Sequence, residues 1–231
     1  MIIFNGAALE SIAPVKIEDI RIGPIIQTPV ARDRPIRAGA AFIRAHEGTR
    51  SVNVTFALMV EDAQTRQQYL DAITTWALSE QPAPLLLPNH TGRMLRALCT
   101  GLPEPSMRQW WEARLNLAFT AYDPFFYAVE EKSAACGDAF YIRGNGTPEV
   151  RITATLAAQT DLTYSDGTNT MTFTDVPAGE LEINLTKQTA QVDGVSIMDC
   201  FGFTSRFIIP KTGANTITGT GTVRWREAWQ S

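Results

Sequence analysis

The sequence predicts a mainly β protein with two domains, of which the first contains one helix. Apolar and polar side chains alternate over several segments, and a period of two is typical of strands with one buried face. Turn residues separate short strands in the second half, as in a β-sandwich of the jelly-roll type. With 231 residues, 45% of them apolar, the chain can bury a core in each of two small domains.

The first half contains two long amphipathic strands and the helix. At residues 52–60, Val, Phe and Leu alternate with Asn and Thr, and residues 111–121 place Leu, Phe and Ala on one face. Between these strands, apolar residues recur at helical spacing, so we predict a helix over residues 63–80. Asp62 can cap it, and Pro82 ends it because proline has no N–H.

A short polar stretch separates the two halves. Residues 85–99 predict a strand, a turn and a strand, and Pro124 is expected to stop the long strand that precedes it. Residues 128–138 are small and polar, so we place the domain boundary there. The predicted domains are residues 1–132, a β-sandwich or barrel with the helix, and residues 138–231, a jelly-roll sandwich.

The second half is predicted to contain strands alone. Residues 150–156 alternate in polarity, and residues 165–169 lie between two short apolar strands, which indicates a hairpin with a five-residue loop. Asp193 and Gly194 form a two-residue hairpin signal, because both turn positions require positive φ.

Composition and motifs give no sign of catalytic chemistry. The formal net charge of −4 provides no general attraction to nucleic acid. Cys99, Cys136 and Cys200 form neither a disulfide framework nor a zinc signature, and His46 and His90 are expected as isolated surface residues in loops. No nucleophile elbow, phosphate loop or dinucleotide motif occurs. We therefore predict no catalytic residue, no cofactor and no metal.

One segment is rich in arginine and opposed by few acids. It contains Arg32, Arg34, Arg37, Arg44 and Arg50. Three interpretations stay open: a solvated hairpin with local ion pairs, an arm whose guanidinium groups bind carboxylates of a neighbouring subunit, or a contact with DNA phosphates. The acidic composition makes the DNA contact the least favoured of the three.

Several turn motifs occur in an order that resembles the distal tail (Dit) proteins of siphophages. In the first half these are Phe4-Asn5-Gly6, the segment Arg34-Pro35-Ile36-Arg37-Ala38-Gly39, then Gly48-Thr49-Arg50, and finally Asp123-Pro124-Phe125-Phe126-Tyr127. In the second half they are Gly144-Asn145-Gly146-Thr147-Pro148-Glu149, Asp193-Gly194, Pro210-Lys211-Thr212-Gly213, and Arg224-Trp225-Arg226. Each motif is ordinary turn chemistry, so the order carries the resemblance.

The resemblance implies a structural protein of a phage or prophage, not an enzyme. The first domain would have a fold related to tail-tube proteins and would form the wall of a hexameric ring, and the second would be a galectin-like jelly roll that anchors adhesion parts. The implied partners are the major tail tube protein, a tail-associated hub protein and a receptor-binding protein, with genome DNA only in transit. The implied place is the virion tail tip, after synthesis in the bacterial cytoplasm. No membrane association is expected, since no apolar run approaches the roughly 20 residues that span a bilayer.

A ring requires contacts between different surfaces of neighbouring copies, and exposed strand edges can supply them. We expect the hairpin at residues 32–50 and the strand at residues 52–60 to contribute, with Trp110 and Phe125 as aromatic anchors. In an alternative interpretation, Trp110 packs on the helix of its own chain. The sequence leaves two other functions open: a carbohydrate-binding module, which needs a groove lined by Trp or Tyr, and a cell-wall glycosidase, which needs two facing carboxylates.

Overall fold

The contacts of a computed structural model divide the chain into two compact units, Met1–Phe126 and Tyr127–Ser231. The structure describes residues 1–33, 40–101, 105–109 and 111–230. Most of these residues lie in strands, which confirms the predicted mainly β class. Within the described ranges, no helix has the length and apolar character needed to cross a membrane.

One large sheet dominates the first unit. The elements of this unit are β1 (Ile3–Phe4), β2 (Ala7–Ala8), α1 (Leu9–Ile12), β3 (Val15–Ile22), β4 (Gln27–Asp33), β5 (Ala40–Glu47), β6 (Arg50–Met59), α2 (Ala63–Ala77), β7 (Ala83–Leu86), β8 (Arg93–Gly101), β9 (Ser106–Gln109) and β10 (Glu112–Ala121). The strand order of the sheet is β2-β1-β7-β8-β10-β6-β3, and β9 pairs with the start of β10. Strands β4 and β5 form a separate two-stranded sheet.

The two long predicted strands are β6 and β10, which pair antiparallel along their lengths. Val54 lies opposite Leu117, and Phe56 lies opposite Leu115; all four side chains are buried. The intervening residues of both strands point to the other face, so the period of two separates a core face from a polar face.

Helix α2 begins as predicted and ends three residues early. The Asp62 carboxylate accepts a hydrogen bond from the Thr65 N–H at 2.6 Å, which caps the first turn. The predicted end at residue 80 is wrong, because Ala77 is the last helical residue and Leu78 is already extended. Leu78 is 60% exposed and polar residues follow it, so a longer helix would bury no further apolar surface to offset the cost of ordering.

Aromatic side chains join α2 to the start of the chain. The Trp76 ring packs edge-on against Phe4, with centroids 5.8 Å apart, and its Nε1–H donates to the Ala7 carbonyl at 3.0 Å. Phe4 also packs against Phe119 of β10 at 5.2 Å. The helix therefore lies on the core side of the sheet, as its apolar stripe predicts.

The second unit is a β-sandwich. The elements from Phe126 onward are β11 (Phe126–Ala128), β12 (Lys132–Ala135), β13 (Ala139–Ile142), β14 (Glu149–Leu156), β15 (Thr160–Ser165), β16 (Thr170–Val176), β17 (Gly179–Asn184), β18 (Thr189–Val192), β19 (Val195–Ser196), a 3-10 turn (Met198–Cys200), β20 (Gly213–Thr216), β21 (Thr222–Arg226) and β22 (Ala228–Trp229). One sheet has the order β12-β21-β14-β17-β18-β19, and β13 pairs with β20 as β15 does with β16. Buried side chains from all these layers, such as Ile152, Tyr164 and Phe173, form one core.

Both predicted hairpins of this unit exist, with one change. Asp193 and Gly194 have φ of 50° and 80° between the paired residues Val192 and Val195, which confirms the two-residue turn. The other loop has four residues instead of five, because Ser165 pairs with Thr170. The Asp166 carboxylate closes this loop by accepting the N–H groups of residues 168 and 169.

Candidate subunit interface

The predicted arginine-rich hairpin is formed by β4 and β5, and it spans residues 27–47 instead of the predicted 32–50, because Arg50 already belongs to β6. Their register runs from Gln27 opposite Glu47 to Asp33 opposite Ala40, and among the described residues these strands pair only with each other. An isolated two-stranded hairpin is at best marginally stable in water. The hairpin therefore has a physical need for contacts beyond its own strands.

The base of the hairpin continues the β3–β6 ladder. The Gly23 N–H donates to the Ser51 carbonyl at 2.8 Å, the Ile26 N–H to the Thr49 carbonyl at 3.2 Å, and the Gly48 N–H to the Ile26 carbonyl at 2.7 Å. A Cβ at Gly48 would lie 2.8 Å from the Ile26 carbonyl oxygen, so only glycine allows this approach. The large sheet thus sets the direction in which the hairpin projects.

Large apolar side chains are exposed on the hairpin. Phe42 is 68% exposed, Ile43 is 58% exposed, and Ile26 at the base is 54% exposed. The register shifts at this point: Val30 pairs with Arg44 and Ala31 pairs with Phe42, so Ile43 is the extra residue of a β-bulge. Bulges re-aim side chains and occur at sheet edges and functional sites, and grouped exposed apolar residues mark protein contacts.

The predicted interface residues have different environments. Arg44 is exposed on β5, whereas Arg50 and Phe125 are only 4% and 7% exposed in the single chain. The remaining predicted residues are Arg32, which lies in β4, and Arg34, Arg37 and Trp110, which fall outside the described residues. The hairpin thus brings Arg32 and Arg44 together on paired strands, but not Phe125.

Arg50 takes part in a stack of cationic and aromatic groups. Its guanidinium carbon lies 5.2 Å from the centroid of the Phe126 ring, and the His90 imidazole stacks on the same ring at 4.3 Å. Burial, followed by the charges of Arg93 and Arg50, lowers the pKa of His90, and burial lowers the pKa of Arg50. His90 is therefore not an isolated surface residue, and the loop prediction is wrong for His46, which lies in β5.

The edges of the large sheet differ from the sequence-based expectation. Strand β6, which contains residues 52–59, is paired on both sides, with β10 and β3, so its backbone is not an open edge. Among the described residues β3 pairs only with β6, and it contains a bulge between Ile17 and Asp19. Glu18 of β3 forms an ion pair with Arg114 at 2.8 Å. A bulged and charged edge is the form that natural sheets use to limit unwanted pairing.

Neutral polar groups occupy part of the face of the large sheet that lies opposite the core. The Thr55 hydroxyl donates to Asn116 Oδ1 at 3.3 Å across β6 and β10, and the hydroxyls of Thr100 and Thr120 lie 3.0 Å apart across β8 and β10. The neighbouring cation Arg114 is neutralised by Glu18. This part of the face therefore offers neutral hydrogen-bonding groups, whereas Lys16 of β3 and Arg96 of β8 lie elsewhere on the same face.

Trp225 of the second unit is buried and does not lie on a binding surface. Trp225 is 6% exposed and packs against Phe140 with ring centroids 4.8 Å apart, so it does not line the aromatic groove that a carbohydrate-binding module needs. In the parts of the chain that the structure describes, no three His, Cys, Asp or Glu side chains are grouped so as to hold a metal ion.

Comparison with solved structures gives a strong structural likeness. No protein-family model and no curated protein matches the chain. The crystal structure of SPP1 Dit (gp 19.1), described as a paradigm of the hub adsorption apparatus in phages that infect Gram-positive bacteria, matches with a TM-score of 0.71 and 13% identity. The match covers 98% of each chain.

Two structures of the phage P2 baseplate in its activated conformation, with Ca and with Sr, match more weakly. Their TM-scores are 0.49 and 0.47 at 8% identity; both cover 92% of this chain, and the matches cover 90% and 89% of the respective baseplate chains. The likeness to SPP1 Dit alone establishes that this chain has a Dit fold over nearly its whole length, as the order of its turn motifs predicts.

Proposed function

We propose that this chain is a structural distal tail protein of a phage or prophage. Copies form a ring, expected to be a hexamer, which joins the tail tube to the adhesion device at the virion tail tip and lets DNA pass. The observation that carries this proposal is the match to SPP1 Dit over 98% of both chains. Its action is assembly, without catalysis.

The hairpin supports the ring part of the proposal. A ring is built from heterologous contacts, in which one surface of a copy meets a different surface of the next. The hairpin projects from the sheet, exposes Phe42 and Ile43, and carries the exposed cation Arg44. The proposed interface contains seven residues: Arg32, Arg34, Arg37, Arg44, Arg50, Trp110 and Phe125. Arg50 and Phe125 are buried in the single chain, so their role would be to support the contact surface.

The neutral part of this sheet face supports the passage of DNA. DNA adheres to proteins mainly where lysine and arginine neutralise its phosphates. Thr55, Asn116 and Thr120 present neutral groups, and the Arg114 cation on the same face is paired with Glu18. We infer that this face, or loops of similar neutral or acidic character, lines the channel of the ring.

The proposal is tested by assembly. The purified chain is analysed by native mass spectrometry and then co-expressed with the tail-associated hub protein and the major tail tube protein of the same phage genome. We expect six-fold species and co-purification with both partners. A chain that binds neither partner under these conditions, and forms no ring with them, would contradict the proposed function.

A further inference from the structure

A groove with uncharged walls lies between α2 and the first residues of the chain. Its volume is about 480 Å³, and its lining includes Phe4, Ile12, Thr75, Trp76 and Leu78. The lining contains no charged side chain. A groove of this volume has the size of a site for an apolar group.

The walls of the groove are held in place, and its exposed rim includes one apolar side chain. Trp76 is fixed by its hydrogen bond to the Ala7 carbonyl and by its edge contact with Phe4. Leu78 at the groove is 60% exposed, so its apolar side chain is available for a contact. Fixed aromatic residues in pockets that exclude water are typical of the centres of protein interfaces.

We propose that this groove receives the Phe42–Ile43 bulge of the hairpin from a second copy of the chain. The proposal rests on the proposed ring, and it names the two surfaces that meet in it. The groove needs an uncharged, projecting, apolar occupant, and Phe42 is the most exposed aromatic residue among the described parts of the first unit. In the single chain, Phe42 is 68% exposed while the groove is open, so the occupant comes from another copy.

The bulge makes this contact geometrically favourable. Because Ile43 is inserted between the pairs Val30–Arg44 and Ala31–Phe42, strict alternation is broken where the two apolar side chains stand. A hairpin and a groove are different surfaces, so the contact is heterologous and extends from copy to copy until a ring closes. Burial of the bulge also supplies the stabilising contact that an isolated hairpin lacks.

Crosslinking tests the contact directly. A chain with Phe42→p-benzoylphenylalanine is mixed with isotope-labelled wild-type chain and irradiated, and the crosslinked peptides are identified by mass spectrometry. We expect crosslinks from position 42 to labelled peptides that contain Ile12 or Thr75. Crosslinks confined to other regions, or confined to the unlabelled chain itself, would overturn the proposal.

Two substitutions test the same contact from both sides. Thr75→Trp fills the groove from an exposed position, and Phe42→Asp removes the occupant. Each is expected to weaken self-association by about tenfold or more, as loss of a central interface residue does. The matched controls are Gln68→Trp, two turns earlier on the same helix, and Phe203→Asp, a fully exposed phenylalanine of the second unit; both are expected to assemble as wild type.

A mixture of the two defective chains gives the sharpest result. The Phe42→Asp chain keeps its groove and the Thr75→Trp chain keeps its bulge, so an equal mixture forms one-to-one pairs that cannot grow into rings. Normal rings from either variant alone would refute the groove contact and leave the proposed function standing. If the wild-type chain neither associates nor crosslinks at roughly 1 mM, where weak contacts are populated, the groove contact also fails. Failure of the proposed function is instead shown by absence of partner binding.

Discussion

Two phenylalanines of the second unit have opposite environments and give a matched test of packing. Phe173 is fully buried in the core, whereas Phe203 is fully exposed on the turn that follows the 3-10 helix. We expect Phe173→Ala to lower the free energy of unfolding by about 3–5 kcal/mol, because it removes buried contacts and leaves a cavity. Phe203→Ala is expected to change it by less than about 0.5 kcal/mol. Urea unfolding measures both, and equal losses would contradict the placement of these rings.

The stack at His90 predicts a dependence of stability on pH. Burial, then the charges of Arg93 and Arg50, lower the pKa of His90 below its usual 6.5. Below pH 6.5 the unfolded chain therefore binds more protons at this position than the folded chain, and the free energy of unfolding falls as pH falls from 6.5 to the folded pKa. Above pH 6.5 this contribution is constant.

The contribution of His90 to the pH dependence of stability is measured by comparing wild type with a variant that lacks the imidazole. Because His90→Phe keeps a ring on Phe126 and removes the proton site, its stability is expected to fall less steeply than that of wild type below pH 6.5. Urea midpoints of the two proteins are compared from neutral to mildly acidic pH. Parallel curves over this range would show that the imidazole is protonated equally well in both states.

At the scale of elements, the hairpin depends on a glycine at its base. A side chain at Gly48 would meet the Ile26 carbonyl, which is fixed backbone, at 2.8 Å; one at Gly23 would meet the Ser51 hydroxyl, which can rotate away. We expect Gly48→Val to cost about 1–3 kcal/mol, as overpacking does, and to detach the hairpin. Trypsin should then cleave after Arg44 faster than in wild type, whereas Gly23→Ala should be close to wild type. Similar cleavage of both variants would contradict this account of the hairpin base.

Alternation along the chain predicts the strands well, because burial of one face is a local property of the sequence. The paired faces of β6 and β10 and the Asp193-Gly194 turn follow from it. The end of α2 was less predictable, since Pro82 sets only the latest possible end and tertiary packing decides the rest. The pairing of β6 on both sides also depends on distant residues, among them Ile17 and Leu115, which no local pattern reveals.

The candidate interface was predictable only in part. The arginine-rich segment correctly indicates a projecting hairpin, yet it does not separate exposed Arg44 from buried Arg50. The alternation of the strand could have indicated that Arg50 is buried, because Arg50 lies two residues before Val52 and therefore shares the buried face of β6. The groove had no sequence signal, because only the fold brings Ile12 beside Thr75.

At the scale of the whole molecule, the stretch between the predicted domains contributes to the sandwich of the second unit. Lys132–Ala135 forms β12, which pairs with β21. The Glu131 carboxylate accepts a hydrogen bond from Arg151 at 3.0 Å, and the Lys132 ammonium lies 2.7 Å from the carboxylate of Glu227, which is 5% exposed. These contacts indicate that a second domain able to fold alone begins before β12, at residue 127, and not at residue 138.

Fragments 127–231 and 138–231 are expected to differ in stability. The shorter fragment lacks β12, and its buried Glu227 carboxylate has lost the Lys132 ammonium. We expect its free energy of unfolding to be lower by roughly 2–4 kcal/mol, because removal of one partner of an ion pair leaves a buried charge uncompensated. Urea unfolding of both fragments measures the difference, and Lys132→Met in the longer fragment separates the ion pair from the strand pairing. Equal midpoints for the two fragments would mean that β12 adds nothing and that the folding unit begins at residue 138. A large deficit in the shorter fragment would mean that the polar stretch, despite its composition, belongs to the sandwich and is no free linker.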